Sequence, residues 1–133
     1  MWHYNGVEFT EDLISKSFGF VYCITNLSNG RKYIGKKFFT KSGRKQTKGK
    51  IKKVRVTSDW LDYYGSNKEL QDYVAKHGAN QFHREILYLC ASRSECSYRE
   101  TQEIFNRGAL LTENYYNSWV TCKIHKAHVI GKL

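Results

Sequence analysis

The chain has no proline, a single methionine and four cysteines among 133 residues. No proline-rich or low-complexity linker and no internal repeat divides it, so nothing in the sequence marks a domain boundary. Cys23, Cys90, Cys96 and Cys122 are widely scattered and include no Cys-x-x-Cys pair. That distribution predicts free thiols in a reducing compartment rather than a disulfide framework or a zinc site. No apolar run approaches the roughly 20 residues of a spanning helix, and there is neither a lipidation motif nor an amphipathic helix with one basic and one aromatic face. A membrane is therefore excluded as the expected partner. The start, Met1-Trp2-His3-Tyr4-Asn5-Gly6, lacks the basic and apolar stretches of a secretory signal, which predicts a protein that stays inside the cell.

Negative charge is also scarce: 12 Asp and Glu stand against 22 Lys and Arg, a formal net charge of +10. So basic a chain of this size calls for a polyanion, and nucleic acid is the expected partner. Apolar residues at 41% and aromatics at 15% are enough for one hydrophobic core, so residues 1–133 are expected to form a single domain.

Phe18 to Thr25 is rich in aromatic and β-branched residues, Asn26-Leu27-Ser28-Asn29-Gly30 supplies turn chemistry, and Arg31 to Gly35 resumes an extended pattern. This predicts a β-hairpin whose Asn-Gly pair takes positive φ. About half of residues 36–55 are Lys or Arg, which reads as a basic surface loop. Beyond it, Ser66 with Glu69 suggests a capping box, Leu70, Tyr73, Val74 and His77 recur at helical spacing, and Gly78 offers a stop. Phe82 to Cys90 reads as a third strand. Ser92 with Glu95 opens a second helix expected to run to about Arg107 and stop at Gly108. The C-terminal stretch is expected to pack on the sheet and then end in a loose tail. Together these elements predict an α/β (α+β) domain with a small, mainly antiparallel three-stranded sheet flanked by helices.

The hairpin carries Phe20-Val21-Tyr22 on one strand and Tyr33-Ile34-Gly35 on the other, the two tyrosines eleven positions apart. Trp60, Tyr63, Tyr64-Gly65-Ser66, Leu70, Gly78 and Phe82 to Leu87 follow. In this order the residues resemble the GIY-YIG nuclease family, in particular its phage-type, homing-endonuclease-like branch, over about residues 18–119. The resemblance implies a metal-dependent DNA endonuclease of the cytoplasm of a bacterial or phage-infected cell. Tyr22 would deprotonate or orient the attacking water, Tyr33 would support it, and Asn117, in Tyr115-Tyr116-Asn117, would help arrange the site. Without those motifs both tyrosines would read as cross-strand packing residues. No separate DNA-recognition domain is expected, and a homodimer is left open.

The sequence departs from better-known members of the family, which place an Arg and a His soon after the second motif; Gly43 and Thr47 stand at about those positions. Lys36, Lys37 or Arg44 could supply the phosphate-clamping cation instead, with Lys37 the first choice, and Tyr64 could replace the family's His. Lys36, Lys41, Arg44, Lys45, Lys48, Lys50, Lys52, Lys53 and Arg55 are the expected DNA contacts, mostly to the backbone.

The metal ligand is sought on the second helix. Taking about 100° per residue from Cys96, Tyr98, Thr101, Ile104 and Phe105 span roughly 80° to 200°, with Glu100 at about 40° on the shoulder of that face. Glu103 falls on the opposite side, four residues from both Arg99 and Arg107, and is expected to be a paired surface carboxylate. The family places its metal-binding Glu four residues before an apolar residue of this helix, a pattern that Glu100 and Ile104 repeat, and one carboxylate plus waters suits Mg²⁺ (or Mn²⁺). Cys122, His125 and His128 form a second cluster, but zinc needs a fourth ligand that the sequence does not offer. The competing expectation is a nucleic-acid-binding or nuclease-interfering protein that keeps the fold without the chemistry.

Overall fold

Two short turns with positive φ at both central residues organise parts of the chain that the sequence reading did not resolve. Asn5 and Gly6 (φ 52° and 82°) join strands β1 (Trp2–Tyr4) and β2 (Val7–Phe9). Lys48 and Gly49 (φ 52° and 75°) join β5 (Thr40–Thr47) and β6 (Lys50–Thr57). Turns of this hand match the twist of antiparallel strands. Residues 36–55 are thus not a loop: the first three close β4 (Lys32–Phe38), and most of the others form a two-stranded ribbon, separate from the main sheet.

The computed structural model describes residues 1–133. Its main sheet has five strands rather than three, in the order β2-β1-β7-β3-β4, where β3 is Gly19–Asn26 and β7 is Phe82–Cys90. β3 pairs antiparallel with both neighbours, while the added β1 runs parallel to β7. Between β3 and β4 only Gly30 of the Asn-Gly pair takes positive φ (77°), because the connection is a longer loop closed by Asn26 and Arg31 rather than a two-residue turn.

α1 (Lys68–His77) covers one face of the sheet and α2 (Arg93–Asn106) the other. The cap of α1 is Asn67, not Ser66: its side chain accepts the amide of Leu70 (2.9 Å). Ser92 caps α2 as expected, accepting the amide of Glu95 (3.1 Å), and Gly108 (φ 61°) follows its end. On the α1 side Trp2, Phe9, Phe20, Phe39 and Trp60 form an aromatic cluster, mostly edge-on or tilted, with Phe9 stacked on Phe39. Trp2 also donates its indole N–H to the carbonyl of Trp60 (2.7 Å). The N-terminal hairpin therefore holds residues 60–64 against the sheet by apolar burial and a satisfied polar group.

The buried face of α2 differs from the expected one. Tyr98 and Phe105 are exposed, and the helix presents Cys96, Glu100, Glu103, Ile104 and Arg107 to the sheet. Glu103 pairs with Arg107 as expected, but not with Arg99, and it is mostly covered rather than on the surface. Its carboxylate accepts from the Tyr88 hydroxyl and from Arg107 Nε, both at 2.8 Å, while Arg99 reaches Gln102 (3.4 Å) and Glu95 (3.9 Å). All four cysteines are free, and no helix is long and apolar enough to cross a membrane.

Candidate active site

In the β3–β4 ladder Tyr22 stands opposite Gly35 and Tyr33 opposite Ile24. Paired residues share a face, so both phenols lie on the α1 side, with ring centroids 6.3 Å apart. Gly35 is needed there because a Cβ would collide with the Tyr22 ring, which lies across it. The ladder between β3 and β7 shifts register at Val21 and Tyr22, a bulge of the kind that re-aims side chains beside functional sites.

The two tyrosines differ in access. Tyr22 is fully buried and its hydroxyl has no hydrogen-bond partner. Burial first, then the neighbouring Tyr63 and Tyr33, holds this phenol well above its ordinary pKa. Tyr33 is half-buried, and its hydroxyl lies 3.0 Å from Ser66 Oγ. Burial raises its pKa as well, against the opposing hydrogen bond with Ser66.

On β4, the alternation that sends Tyr33 toward α1 sends Lys36 toward α2. There its ammonium meets Glu100 at 3.2 Å. Only 15% of the Glu100 side chain is exposed. Desolvation raises its carboxyl above the usual range, and Lys36 works against that rise. A cleft of about 280 Å³ runs round this part of β4, lined by Tyr33, Lys36, Ser66, Glu100, Asn117 and Trp119 among others.

The C-terminal segment holds the outer edge of β4. Lys32 exchanges backbone hydrogen bonds with Asn114 and Tyr116 (3.0 and 2.7 Å). Asn117 continues the pattern with its side chain, accepting the amide of Ile34 (3.0 Å) and donating to its carbonyl (2.8 Å). Each such bond contributes about 1 kcal/mol, so Asn117→Ala is expected to lower stability by about 2 kcal/mol. Thermal unfolding would show this as a fall of roughly 5–10 °C in midpoint; an unchanged midpoint would mean that water replaces the amide at no cost.

Three expected catalytic residues do not line the cleft: Tyr22 is buried behind it, out of reach of a water, and Lys37 and Tyr64 lie elsewhere. Lys37 alternates to the α1 side, where it binds Asp59 (2.6 Å) and sits 4.0 Å over the Tyr63 ring; Lys36, not Lys37, is the cation in the cleft. Tyr64 stacks on the buried guanidinium of Arg84 at 4.1 Å, and Arg84 donates to the carbonyls of Leu61 and Tyr63 (both 2.9 Å). Its ring supports the 60–64 segment rather than a phosphate site. Gly43, Arg44 and Thr47 are on the ribbon, outside the cleft. Ser66 and the exposed Trp119 at the rim are cleft residues that the sequence alone does not single out. The Tyr-x-Gly-Ser segment is the available signal for Ser66.

Glu100 suits a divalent cation held by few protein ligands. It is a desolvated carboxylate that already attracts an ammonium. Mg²⁺ and Mn²⁺ accept one carboxylate with waters and phosphate oxygens completing the shell.

With this hairpin, sheet and flanking helices in place, comparison with known proteins shows that the chain belongs to the GIY-YIG family. The family described as "Putative endonuclease segE, GIY-YIG domain" matches residues 2–120, so the N-terminal hairpin falls within the domain. The protein is similar to "Putative endonuclease segE" of Enterobacteria phage T4, with 37% identity over 99 residues, covering 74% of this chain and 39% of that relative. The match thus spans about two fifths of the relative's length. No solved structure gives a significant match.

Proposed function

We propose that the chain is a metal-dependent endonuclease that hydrolyses DNA phosphodiester bonds in the Tyr33–Glu100 cleft, leaving 5′-phosphate and 3′-hydroxyl ends. The observation that carries this reading is the approach, round one strand, of a solvent-reachable phenol, a lysine and a desolvated carboxylate. When bound beside Glu100, Mg²⁺ or Mn²⁺ would supply charge neutralisation at the scissile phosphate and its departing 3′ oxygen.

Tyr33 and Ser66 orient the attacking water. The raised pKa of Tyr33 keeps its phenol neutral near pH 7, so it acts as a hydrogen-bonding group rather than as a phenolate. Tyr22 has no route to solvent, and its part is to brace Tyr33 and Gly35 from behind. Lys36, partly exposed beside Glu100, offers its charge to a phosphate oxygen. The ribbon cations, Lys41, Arg44, Lys45, Lys48, Lys50, Lys52, Lys53 and Arg55, contact the duplex outside the cleft. The cytoplasm of a bacterial or phage-infected cell is the corresponding place of action.

The test is relaxation of a supercoiled plasmid in Mg²⁺, followed by DNA ligase. Nicks that ligase reseals support the proposed ends, whereas nicks that resist it contradict them. A second reading, binding without cleavage, is favoured by the Lys36–Glu100 ion pair, which neutralises the carboxylate; it predicts no nicking at any Mg²⁺ concentration.

Acid sensitivity follows from Glu100. Its ionised form, which holds a cation, is present above its raised pKa and is lost as pH falls through that value. At limiting Mg²⁺, where the metal-free carboxyl sets the limb, cleavage is therefore expected to decline on the acid side at a pH above the ordinary Glu pKa of about 4.3. Lys36→Met should move that limb higher, whatever it does to the maximal rate, because Lys36 lowers the carboxyl's pKa. A pH–rate profile with its acid limb unmoved by Lys36→Met would separate the limb from Glu100.

A further inference from the structure

The β5–β6 ribbon has two chemically different faces, because directly paired residues share a face and successive residues alternate. Arg44 pairs with Lys53 and Gln46 with Ile51, which places these four on one face. Lys45 with Lys52 and Thr47 with Lys50 lie on the other, where lysine is the only cation. No Asp or Glu occurs from Thr40 to Thr57. Like charges stand directly opposite at two successive rungs, an arrangement that costs stability in the free protein and is relieved by a polyanion. Arg55 is the one ribbon cation tied down within the protein, through Thr40 and Ser42 at the base.

We infer that the ribbon enters the major groove of duplex DNA and reads base edges with its Arg44–Gln46 face. Two strands about 4.8 Å apart fit a groove about 12 Å wide, and such ribbons are an established way of filling it. The side chains suit the task. Arg forks onto the O6 and N7 of guanine, Gln onto the N6 and N7 of adenine, and an apolar Ile meets the methyl of thymine. Lys45, Lys50 and Lys52 extend from the other face toward the flanking phosphates, which hold register without reading sequence. The ribbon thus supplies sequence preference to a domain whose cleft contacts only the backbone. This inference rests on the DNA-binding part of the proposed function but not on cleavage.

The experiment is selection of bound duplexes from a randomised library in EDTA, so that no cutting intervenes. Wild type is compared with an Arg44→Lys/Gln46→Ala variant, which keeps the charge, and a Lys45→Ala/Lys52→Ala variant. Wild type is expected to enrich a short motif. The first variant should lose discrimination at one or two positions, on the order of tenfold or more per lost pair, with its salt dependence unchanged. The second should keep the motif and bind all sequences more weakly, its log–log salt slope smaller by about 2. Absence of a motif with wild type, or the same motif from the Arg44→Lys/Gln46→Ala variant, would overturn base reading while leaving DNA binding intact. No binding by any of the three would overturn the DNA reading itself.

Discussion

Glu100→Gln is expected to slow Mg²⁺-dependent DNA cleavage by on the order of 10² or more, the scale on which single electrostatic contributors act in active sites. The substitution keeps the size and shape of the side chain and removes the charge that retains a divalent cation. It should not impair folding. The raised pKa of Glu100 means that its surroundings favour the neutral form, and Gln resembles that form. The unfolding midpoint without divalent ions should therefore be no lower than that of wild type. Glu103→Gln provides the contrast three residues on. It weakens the charged acceptor shared by Tyr88 and Arg107, at a cost of about 1–3 kcal/mol in stability, and spares the rate per folded molecule. A Glu100→Gln protein that cuts at the wild-type rate, or a folded Glu103→Gln protein that does not cut, would move the metal site away from Glu100.

Affinity for an unrelated duplex is expected to fall by about 10³ or more between about 50 and 200 mM salt, as six to ten phosphate contacts require. The ribbon is the source, since its eight cations occur in 18 residues with no carboxylate among them and none forms an ion pair within 4.0 Å. Fluorescence anisotropy with a labelled duplex at several salt concentrations gives the slope directly. An affinity nearly indifferent to salt would mean that the ribbon does not lie on DNA.

What could be read in advance follows the strength of local signals. The β3–β4 hairpin, β7 and both helices carry periodicity of sufficient length, and Ser92 and Gly108 bracket α2 as their chemistry requires. The N-terminal hairpin had a readable signal, Asn5-Gly6 between Tyr4 and Val7, but its strands are only three residues long and depend on the packing of Trp2 and Phe9. The ribbon is harder to recognise. Neither of its faces is buried, so the alternation of apolar and polar residues that marks a half-buried strand is absent, although Ile51, Val54 and Val56 favour extended backbone.

Site residues follow the same logic. Tyr33, Lys36, Glu100 and Asn117 share the cleft, whereas Lys37 fails by one step of strand alternation. The sequence shows that Lys36 and Lys37 point to opposite faces, but not which face α2 covers. Hydropathy alone misplaces the buried face of α2, because two of its largest apolar residues, Tyr98 and Phe105, point outward. Its inner face is filled instead by Cys96, Ile104 and charged groups satisfied by partners from β4, β7 and α2 itself. An amphipathic pattern ranks side chains by hydropathy and does not register a carboxylate whose partner lies 64 residues away.

The most direct test of the central claim is the single-turnover rate of plasmid nicking by the wild-type chain in Mg²⁺, compared with the same preparation in EDTA. Steady conversion of supercoiled to nicked or linear DNA in Mg²⁺, abolished by EDTA and restored by Mn²⁺, is the predicted result. A folded, DNA-binding protein that leaves the plasmid intact under all three conditions would contradict the account and leave the chain a binding protein on a nuclease fold.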